Sequence, residues 1–158
     1  MREQFVSAFA IGLIAVAVAV GAILYMQRGA HMELTGPMIV RTVATDENTA
    51  LALINLHITN PSSYEFQVHN VIVTLETKSG EFPTEIVSRT DSQRLFDTMP
   101  ENGPFHPPLY TNAIIPAHST ADYTVIAQYS APERILKDRK RFVVRIEEIN
   151  GKVAEFSE

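Results

Sequence analysis

The chain opens on an uninterrupted apolar run. Residues 5–26, FVSAFAIGLIAVAVAVGAILYM, contain no charged side chain. At 1.5 Å per residue this run predicts a helix of about 33 Å, enough to cross the ~30 Å hydrocarbon layer of a bilayer. Arg2 and Glu3 stand before it in the short tail 1–4, Gln27 and Arg28 follow it, and Tyr25 sits where an interfacial aromatic belongs. A cleaved signal peptide has an apolar region of only ~7–15 residues, so the length predicts a retained anchor. With so short a tail before a large carboxy-terminal part, the simplest orientation puts the tail inside and the rest outside. Ala8 with Gly12, and Ala17 with Gly21, form small-xxx-small spacings that let helix backbones approach closely, and they are the candidate helix-packing positions.

After a juxtamembrane link, residues 27–37, the period shortens to two. Residues 38–45 form a first expected strand. In 49–59, Ile54, Leu56 and Ile58 alternate with Asn55, His57 and Thr59, the mark of a strand with one buried face. Asn60-Pro61 breaks it. Residues 66–77 place Val71, Val73 and Leu75 on one face, and 83–88 form a weaker, edge-like segment. Further strands are expected at 113–116, at 122–129 with Tyr123, Val125, Ala127 and Tyr129 together, and at 141–149 with Phe142, Val144 and Ile146 together. Asn150-Gly151 then turns the chain into 152–156. Residues 90–97 start with capping residues and predict a short helix, and Ser130 with Glu133 suggests a capping box for a second one. Pro100, Pro104, Pro107 and Pro108 make 99–112 a long surface loop, because proline at that density suits neither helix nor central strand. Seven or so short strands without a βαβ rhythm predict a mainly β fold. It is an antiparallel sandwich over 38–158, with one or two short helices and an insert at 90–112, preceded by a single transmembrane helix.

Composition sharpens this division. The hydrophobic fraction is 46% and the mean hydropathy is near zero, values typical of a soluble protein. The apolar run supplies about a quarter of those hydrophobic residues; without it the fraction drops to about 40%, below the usual ~45–50%. From residue 27 onward the chain holds 12 basic and 17 acidic side chains, a net of −5. That balance speaks against nucleic acid as a partner. The absence of cysteine excludes disulfides and zinc–thiolate sites.

One stretch carries a family pattern. Leu51 to Val68 joins an apolar strand to Asn60-Pro61-Ser62-Ser63-Tyr64 and a following strand, and Ile115-Pro116-Ala117-His118-Ser119 precedes the strand of Tyr123. This resembles the water-stress and hypersensitive-response (WHy) domain of certain late-embryogenesis-abundant proteins, over about 55 residues. The resemblance implies an immunoglobulin- or fibronectin-type sandwich without catalytic residues, and a role in stress protection, protein contact or assembly. The insert at 90–112 and the apolar helix have no counterpart in it.

Candidate chemistry is sparse. The five histidines show no metal-ligand spacing, although folding could bring His57 and His69 onto adjacent strands. No serine elbow, phosphate-binding loop or dinucleotide fingerprint is present, so neither catalytic nor metal or cofactor-binding residues are expected. Lys137-Asp138-Arg139-Lys140-Arg141 is the only dense basic run, read as a solvated helix end rather than a lipid-binding patch. Phe105, His106, Leu109 and Tyr110 in the proline-rich loop form the candidate interaction surface. Prolines pre-order such a loop for binding, although these side chains would equally serve to cover a sheet edge. The expectation is a non-enzymatic, single-pass, membrane-anchored sandwich whose domain lies outside the cytoplasm. It would act through a protein partner or a second copy, for instance as an accessory subunit of a membrane assembly. The alternatives are a stress-protective domain and a ligand-binding or hydrolytic module.

Overall fold

The computed structural model describes residues 12–23 and 33–158. Residues 12–23 belong to one compact unit and Glu33–Glu158 form a second. Residues 12–23 are helical (α1), and every one of them is exposed. This stretch is too short to cross a membrane, and among the described residues no helix is long and apolar enough to do so; the rest of the 5–26 run lies outside the described residues. Gly12, Ala17 and Gly21 lie on α1, and a Cβ added at Gly12 or Gly21 would meet nothing within 4 Å. Ala8 lies outside the described residues.

The second unit is mainly β and antiparallel. Its strands are β1 (Met38–Ala44), β2 (Ala50–Asn60), β3 (Phe66–Glu76), β4 (Glu81–Glu85), β5 (Ile114–Ile115), β6 (Ser119–Tyr129), β7 (Arg141–Glu148) and β8 (Val153–Ser157). Two helices interrupt them, α2 (Arg89–Thr98) and α3 (Glu133–Lys137), and a 3-10 turn, Pro100–Asn102, follows α2. One sheet has the order β1-β2-β6. The other runs β4-β3-β7-β8, with β5 also pairing to β3.

The alternating residues do what their period demands. Ile54, Leu56 and Ile58 of β2 and Val125, Ala127 and Tyr129 of β6 meet Val73, Leu75, Phe142, Val144, Ile146 and Phe156 of the other sheet in a single buried core. Val68 and Val71, three residues apart, both reach that core because the β3–β7 register shifts between Val68 and Asn70. The extra residue, His69, is left on the outside, as a bulge requires.

The unit begins before the first expected strand. Leu34 is buried in the core and Thr35 bridges to Thr59, so residues 33–37 belong to the domain rather than to a free link. Gly36 makes this approach possible: at φ +146 it passes so close to β2 that a Cβ would lie 1.7 Å from the His57 carbonyl oxygen. The expected edge segment at 83–88 is shifted earlier, to Glu81–Glu85, with Pro83 inside it as suits an edge strand. The capping box at Ser130 does not form. Helix α3 starts only at Glu133 with Pro132 at its cap, and the Glu133 carboxylate is held instead by Lys137 at 3.0 Å and the Thr42 hydroxyl at 3.0 Å.

Candidate interaction surfaces

The insert at 90–112 folds down onto the outer face of the three-stranded sheet. Leu51 and Leu53 of β2 and Ile126 of β6 point away from the main core, and with Phe96 of α2 they make a second, smaller cluster against which Leu95, Met99 and Phe105 pack. Strand β2 is therefore buried on both faces along 50–54. Ser88 caps α2, accepting from the Asp91 amide at 3.2 Å.

The four candidate loop residues have different surroundings. Phe105 stacks on Phe96 with ring centroids 4.4 Å apart, and the Arg41 guanidinium lies 5.9 Å from its centroid. Leu109 is 2% exposed and belongs to the main core, so it offers no surface to a partner. His106 is half-buried, its amide donating to the Thr124 hydroxyl at 2.8 Å. Tyr110 is half-buried beneath Arg89, whose guanidinium lies 4.4 Å above the ring. Arg41 donates to the carbonyls of Gly103 and, at 2.9 Å, Pro104; Asn55 also donates to Pro104, at 3.0 Å. The amide of Leu109 donates to the Thr124 carbonyl at 3.1 Å, and the amide of Thr124 donates to the Pro107 carbonyl at 3.1 Å, so the loop also covers the edge of β6.

Beside the loop, the same outer face carries a row of directly opposed polar pairs that sequence reasoning missed. Thr124 donates to Asn55 Oδ1 at 2.8 Å, His57 Nδ1 lies 2.6 Å from Asp122, and the hydroxyls of Thr59 and Thr120 are 3.0 Å apart. Each pair is in register across β2 and β6. The signal was available in the alternation of Asn55, His57 and Thr59, but the partner strand was not. His57 and His69 do not meet: they lie on different sheets, and both are exposed. Among the described residues no cluster of His, Asp and Glu gathers as a metal site would require.

The basic run is largely paired. Lys137 meets Glu133 at 3.0 Å, Arg141 makes two bonds to Glu76 at 2.8 and 2.9 Å, and Arg139 grips the Glu158 carboxylate. The Arg141 bond lowers the Glu76 pKa below the ordinary carboxylate value, and the Arg139 bond does the same to Glu158. The run thus presents little free positive charge, as a solvated and paired helix end should. The groove of about 270 Å³ between Ile86–Arg89 and Tyr110–Thr111 is lined by no carboxylate or histidine.

No family model matches the chain, and no curated protein matches it. Among solved structures it is similar to a crystal structure described as an ApaA protein from Bordetella pertussis. The identity is 15% over 81% of this chain and 89% of that one, with a TM-score of 0.39, a likeness that carries no inference about fold family or activity.

Proposed function

We propose that this chain is a single-pass membrane protein in which residues 5–26 anchor an immunoglobulin- or fibronectin-like sandwich outside the cytoplasm, and that the domain works by contact with another protein rather than by catalysis. The observation that carries this reading is α1. Leu13, Ile14, Val16, Val18, Val20 and Ile23 are each between 49% and 66% exposed, and with Ala15, Ala19 and Ala22 on the side they leave open the helix is apolar all round. A helix apolar all round needs an apolar solvent, and within a run of this length that solvent is lipid. The pairs His57–Asp122 and Thr59–Thr120, which the insert leaves uncovered, are the surface offered to a partner, because their side chains are already ordered by one another, while in the Asn55–Thr124 pair Thr124 lies buried under the loop. The WHy resemblance supports the sandwich and leaves stress protection as the alternative role; loss of the gene would then sensitise cells to desiccation or osmotic shock.

Membrane fractionation tests the anchor. The full chain stays with the membranes through an alkaline carbonate wash, and protease added to intact cells removes the domain. Release by the wash, or cleavage only after lysis, overturns the proposal. Native mass measurement after gentle detergent extraction tests the contact: a complex is expected, and a lone monomer argues for a free-standing domain.

A further inference from the structure

Exposed large apolar side chains are not scattered evenly over the domain. Seven are found in its described residues: Ile39, Tyr64, Phe82, Ile114, Ile135, Ile149 and Val153. Four of them gather at one end, and a continuous set of pairings shows it. Thr35, just after the start of the unit, bridges to Thr59. The neighbouring Asn60 side chain donates to the carbonyls of Tyr64 and Ile115. Ile115 pairs with Phe66 and Ile114 with Gln67, whose carbonyl accepts from the Ile149 amide. Glu147, two residues earlier, pairs with Val153. Tyr64 is 63% exposed, Ile149 55%, Ile114 51% and Val153 41%, and all four lie at the end of the domain where the chain enters it.

We propose that this end of the domain seats in the interfacial layer of the bilayer through Tyr64, Ile114, Ile149 and Val153. The inference rests on the anchor reading above. Residues 27–32 are all that separate the apolar run from the domain, and at no more than ~3.6 Å per residue the seven steps from Met26 to Glu33 keep this end within about 25 Å of the lipid. Tethering at that range turns a weak surface contact into a populated one. Tyrosine and isoleucine suit the layer, the first with an apolar ring and a polar tip at headgroup level, the second in the acyl boundary. Among the described residues, Glu33, Glu65 and Glu147 surround the patch with only Lys152 to offset them, so the lipid it fits is zwitterionic rather than anionic.

Since the chain has no cysteine, single cysteines can carry a spin label in the full-length protein reconstituted into phosphatidylcholine vesicles. Tyr64→Cys and Ile149→Cys report the proposed contact, Phe82→Cys reports a surface of the domain away from it, and Val16→Cys reports the anchor. Labels at 64 and 149 are expected to collide with oxygen several-fold more, relative to a water-soluble nickel chelate, than the label at 82. If the label at 16 is lipid-exposed while those at 64 and 149 behave like 82, the anchor stands and the seating is overturned. If the label at 16 is aqueous, the anchor fails and the seating with it. Labels at 64 and 149 shielded from both reagents mean burial against a second copy, which also overturns it.

Discussion

The hydroxyl of Tyr129 in β6 donates to the carbonyl oxygen of Val73 in β3 across 3.0 Å, a buried bond between the two sheets. A cysteine-free domain has no covalent tie across its core, and this bond sits where such a tie would act. The ring also packs on Phe142, with centroids 6.0 Å apart and the planes tilted by 55°. Tyr129→Phe keeps that packing and removes only the oxygen. The expected loss is about 0.5–1.5 kcal/mol, the net worth of one buried hydrogen bond. Urea denaturation of the domain checks it: the midpoint falls while the slope is unchanged, because the surface exposed on unfolding is the same.

Asn60 stands at the junction where the chain leaves one sheet for the other. Its amide donates to the carbonyls of Tyr64 at 2.9 Å, Ile115 at 3.2 Å and Pro116 at 3.0 Å, and its oxygen accepts from the Ser62 amide at 3.1 Å. The side chain is 1% exposed. Asn60→Ala leaves those backbone groups without this partner in the interior and is expected to cost about 2–4 kcal/mol. Asn60→Asp turns a carboxylate toward three carbonyl oxygens. It is therefore expected to be at least as damaging at neutral pH and to recover part of the loss in acid, where a protonated carboxyl can donate again. Thermal unfolding of both variants at pH 7 and near pH 4 separates the two cases.

The strands were readable from the sequence because their alternation is a local property. Ile54, Leu56 and Ile58, or Phe142, Val144 and Ile146, face the core wherever the strand happens to pair. Which strands pair was not readable, and for that reason His57 and His69 looked like candidates for contact while the true partner of His57, Asp122, is 65 positions away. Strand β2 hid a second layer. Leu51 and Leu53 break the alternation because they lie under Phe96 and Phe105, a contact that no period announces. The proline count placed the loop at the surface correctly, but it could not tell that Leu109 would turn inward. Ser130 and Glu133 had capping-box spacing, yet Lys137 and Thr42 hold the carboxylate elsewhere.

The insert is tied to the sheet at a few points, and Phe105 is the most replaceable of them. Phe105→Ala removes the stack on Phe96 and the ring beneath Arg41. Because the side chain is only half-buried, the cost should fall below the ~3–5 kcal/mol of a full core phenylalanine, at about 1–2 kcal/mol. The effect should also be local. Hydrogen exchange is expected to speed up at amides of 89–108, including the His106 amide bonded to Thr124, while β3 and β7 stay protected. Equal acceleration in the central strands would mean that the two clusters unfold as one.

Acid and alkali should weaken the domain through different groups. The Arg139 bond holds the Glu158 pKa below its ordinary value, and the Glu158 carboxylate also accepts from the Phe142 amide at 3.1 Å. A carboxyl lowered on folding contributes stability that is complete above its unfolded value, near pH 4.5, and is lost as the pH falls through the folded one. Glu76, lowered by its bond to Arg141, and Glu133, lowered by Lys137, act in the same direction. Burial acts oppositely on Tyr129, whose pKa is raised above 10. A hydroxyl raised on folding contributes stability present below its unfolded value and lost as the pH climbs from about 10 toward the folded value. The stability profile should therefore be flat between about pH 5 and 9 and fall on both sides. Glu158→Gln is expected to cost no more than about 1 kcal/mol at pH 7, since the pair is partly exposed, and to make the acid limb shallower. Tyr129→Phe should leave the acid limb unchanged and flatten the alkaline one. Urea midpoints measured from pH 3 to pH 11 for the three proteins check each limb separately; if both variants shift the whole curve without changing its shape, the two groups do not set these limbs.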